Sequence, residues 1–123
     1  MRLERDIAVF GDVHVKHAAP LFDVPIEDAA ADLAERGGAD VVIVSGARSA
    51  VPPTYERLEA VRAAVDVPVM IGSGVGLANV RDFHDRSDGV LIGEVDFKVG
   101  RVWGGASDEA AYAEAVRLAR GAA

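Results

Sequence analysis

Short β-branched apolar runs alternate with Ala-rich amphipathic stretches along the chain, and the alternation predicts four consecutive β-α units. Ile7–Val13 reads as the first strand. Val41–Val44 is continuously apolar, as expected of a parallel strand covered on both faces, and Val67–Ile71 and Val90–Ile92 follow as the third and fourth strands. Pro25, whose fixed φ suits a first helical position, opens a helix through Ile26–Arg36, with Ile26, Ala29, Ala30 and Leu33 on one face. Gly37-Gly38 stops it. Pro53 and Thr54 open a second helix with Leu58, Val61 and Val65 on one stripe, and Leu77–Arg86 is a short third. Ser107 is expected to cap a last helix carrying Glu109 and Glu114 on its polar side. Phe97–Val102 is read as a small hairpin around Gly100, with Phe97 and Trp103 as its packing or as an interface patch.

Strands separated by helices of 10–15 residues mean βαβ units, a parallel sheet and right-handed crossovers. The fold class is therefore α/β. The pattern alone leaves open whether the sheet is open or part of a closed barrel. No linker or low-complexity stretch divides the chain, so residues 1–123 are expected to form one domain.

Composition narrows the classes of function. The chain has no cysteine, which excludes disulfides, thiolate metal sites and a cysteine nucleophile. Its 20 acidic and 13 basic residues give a net charge of −7, and the basic ones are scattered; nucleic acid and anionic membranes are poor partners for such a surface. No apolar run approaches the roughly 20 residues of a membrane span. Glu4 and Asp6 interrupt any apolar stretch of a leader, so a cytoplasmic protein is expected.

The chemistry concentrates at the ends of the strands. In extended chain, alternate residues share a face, so Asp12, His14 and Lys16 are expected to point one way and Val13 and Val15 the other. An acid, an imidazole and an amine gathered at a strand end are costly unless they bind something. Asp12 would orient or neutralise, His14 transfer a proton near neutral pH, and Lys16 hold an anion or act as a base; His17 is a second imidazole at the start of the loop. Asp12, His14 and His17 do not have the spacing of an established metal motif, and no metal or cofactor is assigned. Gly72-Ser73-Gly74-Val75-Gly76 lies between an apolar strand and a helix, where small residues let backbone N–H groups approach an anion; Gly93 is the matching element after the last strand. Ser45-Gly46 follows the second strand, with Ser45 available to a ligand hydroxyl; Arg48 beyond it is read as a solvated loop arginine, and Asn79 as a capping residue.

These stretches resemble one family. Gly11-Asp12-Val13-His14-Val15-Lys16-His17-Ala18 is similar to the "DVxxKHA" segment of the BtpA family, also called the SgcQ group. In the same order, Ala39–Gly46 resembles its "ADAVIVTG", Val67–Val75 with Asn79-Val80 its "xPVLVGSGVTxxNV", and Ser87–Gly93 its "ADGVIVG". Glu94 stands where Thr or Ser is usual, and Ser49-Ala50 replaces a second "TG" pair. The resemblance implies a (β/α)8 barrel of about twice this length. The chain would then be a parallel (β/α)4 half-barrel corresponding to strands 5–8 of a TIM barrel. Asp12, Lys16, His17, Ser45, Gly46, Ser73, Gly74 and Gly93 would all fall at the mouth where barrel active sites lie. Some family members are linked to photosystem I assembly or stability, and others are described as nucleosidases or sugar-related enzymes.

Together these readings lead to an expected strand-end site for a nucleoside or a phosphorylated sugar. Asp12, His14, Lys16 and His17 would supply its chemistry, and Ser45, Gly46, Gly72, Ser73, Gly74 and Gly93 its ligand contacts. The alternatives are a non-catalytic assembly factor, as in photosystem I biogenesis, or an inactive half-barrel. Four units cannot close a barrel, so self-association or pairing with a first-half chain is expected.

Overall fold

The computed structural model of the chain describes residues 7–93, 97–101 and 104–121. Strands β1 (Phe10–Val13), β2 (Val41–Val44), β3 (Val69–Ile71) and β4 (Gly89–Val90) form one all-parallel sheet in the order β1-β2-β3-β4. Helices α1 (Ile26–Glu35), α2 (Tyr55–Ala64) and α3 (Val80–Arg86) are the three crossovers, and α4 (Glu109–Ala119) follows β4. The sequential order settles what the apolar pattern leaves open. When each strand adds to the same edge and every crossover is right-handed, all helices fall on one face of the sheet. A doubly wound sheet needs a reversal of strand order, and this sheet has none. The architecture is half of a β/α barrel.

Register assigns the two faces. Val13, Val44, Ile71 and Val90 lie side by side and pack with Ala30, Leu58, Val61 and Val80 in the single core beneath the helices. The next row, Asp12, Ile43, Met70 and Gly89, faces the other way, toward what would be the barrel interior. A Cβ on Gly72 would strike Ile43 and the Ser45 hydroxyl, which places Gly72 and Ser45 on that inner face too. Phe10, two residues before Asp12, shares the face and is 52 % exposed.

The strands are shorter than their apolar runs because a strand exists only where a neighbour pairs with it. β1 begins at Phe10, opposite Val41, so Ile7–Val9 precede the ladder; β4 ends at Val90, opposite Ile71, although the Leu91 N–H still reaches the Ile71 carbonyl at 2.8 Å. At the N-terminal end of the sheet, Asp88 accepts from the Val69 N–H at 2.8 Å and from Arg62 at 3.0 Å, tying α2 to the sheet. Two expectations are corrected. Around Gly100, Val99–Arg101 is a 3-10 turn with Gly100 at φ 69°, and among the described residues the antiparallel partner of Lys98 is Ser107, beyond the expected Phe97–Val102. The cap of α4 is Asp108, whose carboxylate accepts from the Ala110 and Ala111 N–H groups at 3.1 Å, rather than Ser107. Phe97 is fully buried and stacks on Tyr112 at 4.9 Å, so it is core and not an interface anchor; Trp103 and Glu94 lie outside the described residues.

Candidate functional site at the strand ends

The C-terminal ends of β1, β2 and β3 are joined by side-chain hydrogen bonds. The Ser45 hydroxyl, one residue past β2, donates to Oδ2 of Asp12 at 3.1 Å. The Gly46 N–H donates to the Ser73 hydroxyl at 3.2 Å. Ser45 and Ser73 are both buried, so each hydroxyl needs such a partner. Crowding by the surrounding protein raises the Asp12 pKa above its ordinary 3.8; the Ser45 hydrogen bond and, after it, the charge of Lys16 oppose that rise without cancelling it. Lys16 thus acts on the same carboxylate from a turn closed by the Ala18 N–H on the Val15 carbonyl at 3.0 Å. His17 is exposed in that turn.

His14 breaks the expected alternation. Its φ of 53° ends the extended backbone immediately after β1, a conformation histidine tolerates better than most residues. The ring leaves Asp12's face and lines a groove of about 590 Å³ along α1, with Pro20, Val24, Asp28, Ala29, Asp32 and Leu33. Its Nε2 is enclosed there without a hydrogen-bond partner. The set of Asp12, His14 and Lys16 on one face is therefore not formed, and among the described residues no three His, Asp or Glu groups gather to hold a metal ion. This groove lies on the flank of the half-barrel and not at the Asp12 end.

The glycine-rich loop after β3 is a packed joint. Residues 47–53 fold back over the strand ends, and a Cβ on Gly46 would lie 1.7 Å from the Val51 carbonyl oxygen. Gly74, at φ 73°, brings its backbone as close to Val51 and Pro52. Asn79 locks the loop by accepting from the Gly76 N–H at 2.8 Å and donating to the Gly74 carbonyl at 3.0 Å. Ser73, Gly74 and Gly76 are buried beneath this cover, Gly72 is half-buried, and Gly93 is exposed beyond β4. The structure thus brings Asp12, Lys16, Ser45, Gly46 and Ser73 together and places His14 elsewhere. Sequence reasoning missed Val51 and Pro52 as the cover of Gly46 and Gly74; the adjacent Pro52-Pro53 pair was the available signal of a rigid loop.

Comparison with known proteins follows the same blocks. The sequence description of the BtpA family matches residues 1–120. The chain belongs to the BtpA family. An uncharacterized protein of Methanocaldococcus jannaschii is 44 % identical over 91 residues, covering 74 % of this chain and 34 % of that protein. An uncharacterized protein of Thermococcus kodakarensis is 41 % identical over 101 residues, covering 82 % and 38 % respectively. The protein named Photosystem I biogenesis protein BtpA in Synechocystis is 42 % identical over 91 residues, covering 73 % of this chain and 32 % of that one. The matched segment thus spans about a third of these BtpA-family relatives. No solved structure matches the chain. Among the described residues, no helix is long and apolar enough to cross a membrane.

Proposed function

We propose that the strand-end site of this BtpA-family half-barrel takes a nucleoside or a phosphorylated sugar, and that Asp12 is its acid-base group. The observation that carries the reading is the Asp12–Ser45 pair on the inner face at the C-terminal end of the sheet, where β/α barrels do their chemistry. A carboxylate whose pKa is raised holds a proton more firmly than an ordinary aspartate, which makes it a stronger general base. In glycosidic cleavage Asp12 would take a proton from water as the water oxygen attacks the anomeric carbon, and the aglycone would leave with the bonding pair and take its proton from solvent. Ser45 fixes the carboxylate's orientation. Lys16, exerting its charge on the same carboxylate, would hold a phosphate or a hydroxyl, with His17 as a further polar contact. Gly72, half-buried, and Gly93, exposed, would shape the ligand's seat through backbone groups, with Ser73 and Gly74 holding the packed joint beneath them. His14, turned toward α1, is left out of this set.

The test is to incubate the chain with a panel of nucleosides and sugar phosphates beside Asp12→Asn. The reading predicts turnover of at least one member, reduced at least about 100-fold in the variant. Equal turnover in both, or none in either, overturns it.

One observation favours a second reading, a non-catalytic protein-binding role; the Synechocystis relative is named a photosystem I biogenesis protein. Leu21 and Phe22, in the loop between β1 and α1, are 93 % and 79 % exposed, an unusual solvent exposure for two adjacent large apolar side chains. If they anchor a partner, Leu21→Ser with Phe22→Ser abolishes its capture while leaving nucleoside turnover intact; unchanged capture removes the reading.

A further inference from the structure

Arg48 stands in the loop after β2, exposed, and its side chain makes no ion pair among the described residues. That loop is held at both feet. Ser45 and Gly46 are tied to Asp12 and Ser73 by hydrogen bonds of 3.1 and 3.2 Å, and on the return Val51 and Pro52 press on the backbone of Gly46 and Gly74. Between the feet a turn closes, with the Val51 N–H donating to the Arg48 carbonyl at 3.2 Å. Its third residue is Ala50 at φ 61°, a left-handed position that glycine usually takes. An alanine there is strained, and such strain persists where the surrounding packing imposes it, commonly beside ligand sites. The Pro52-Pro53 pair stiffens the return. The Arg48 backbone is thus fixed two residues, at most about 7 Å, from Gly46 at the end of the sheet.

We propose that Arg48 is the phosphate-binding residue of the strand-end site, so that its ligand is a phosphorylated sugar rather than an unphosphorylated nucleoside. The inference rests on the function proposed above and leaves the acid-base role with Asp12.

Charge and order both support it. A phosphate brought beside Asp12 meets a like charge, and Lys16 already acts on that carboxylate. The anion therefore needs a cation that no carboxylate occupies. Arg48 is one, three residues beyond Ser45, and its planar fork matches two phosphate oxygens at once. An ordinary loop arginine would pay to order its whole segment on binding; here the segment is already pinned, and only the side chain is immobilised. The sugar would span from its phosphate on Arg48 to its anomeric carbon at Asp12, which leaves Lys16 to the hydroxyls. The loop arginine that the sequence reads as merely solvated thereby becomes the residue that selects the ligand.

The test is isothermal titration calorimetry of the full chain with ribose 5-phosphate, ribose and adenosine. The unaltered chain should bind ribose 5-phosphate at least about tenfold more tightly than ribose, and Arg48→Ala should bring the two to the same level without moving the melting temperature. Arg48→Lys should recover only part of the preference, since an ammonium lacks the fork. Arg36→Ala removes a charge from the C-terminal end of α1, at the opposite end of the sheet, and should leave the preference intact. A preference that survives in Arg48→Ala, or one lost equally in Arg36→Ala, overturns the inference. Ribose or adenosine bound as tightly as ribose 5-phosphate also overturns it, while leaving the strand-end function standing. Binding of none of the three removes both.

Discussion

Replacing Ser45 with alanine isolates the bond on which the candidate site is built. The substitution keeps the Cβ that packs on the inner face and deletes only the hydroxyl, which lies 3.1 Å from Oδ2 of Asp12. A hydrogen bond to a charged group is worth about 1.5–3 kcal/mol net when enclosed. Asp12 keeps more than a third of its surface in solvent, so water replaces part of that bond, and the expected cost falls to about 1 kcal/mol. For a domain of this size that lowers the melting temperature by roughly 4 °C. The hydroxyl favours the ionised carboxylate, so its loss raises the Asp12 pKa further above 3.8. The destabilisation should therefore grow as pH rises from below 3.8 through the carboxylate range, because only the ionised form loses the stronger bond. Circular-dichroism melts of both proteins between pH 3 and 7, with NMR titration of the Asp12 carboxyl, read both effects. An Asp12 pKa that falls in Ser45→Ala, or a melting difference constant across that range, refutes the reasoning.

Other substitutions probe the remaining joints. Asp12→Asn should be as stable as the unaltered chain or more so at pH 7. A carboxylate with a raised pKa costs folding free energy that is absent below 3.8 and complete above its folded pKa, and the amide oxygen still accepts from Ser45; the advantage should vanish in denaturant melts at pH 3. Gly74→Ala puts a Cβ 2.1 Å from the Pro52 nitrogen at a φ of 73°, and should cost roughly 3 kcal/mol by urea unfolding; a neutral effect would mean that residues 47–53 do not cover this loop. Leu58→Ala empties a fully buried position beneath α2 and should cost about 3 kcal/mol by the same measurement, whereas a loss under 1 kcal/mol would place α2 away from the core.

How much of this was legible in the sequence varies with the kind of signal. The Val41–Val44 strand needs no correction, because an unbroken apolar run between a Gly-Gly stop and a polar loop has one economical placement in a parallel sheet. The start of α1 was equally clear from Pro25, whose ring fixes φ. Strand lengths were not readable, since they depend on where neighbours begin and end. His14 was misplaced because the period-2 rule holds only while the backbone stays extended, and nothing in Val13-His14-Val15 announces a left-handed residue. Ser107 and Asp108 are adjacent and both able to cap, so the chain alone could not choose between them. The link between Asp12 and Ser45 is a property of register: the two are 33 residues apart, and only pairing Asp12 with Ile43 brings them together.

The central claim is that the carboxyl ends of β1, β2 and β3 form one small-molecule site around Asp12. The most direct measurement is an amide NMR titration of the full chain with adenosine and with ribose 5-phosphate. The account predicts saturable shifts confined to Asp12–His17, Ser45–Arg48 and Gly72–Gly74 with at least one of the two, abolished in Asp12→Asn. No shift with either probe, or shifts centred on the groove along α1, would contradict it.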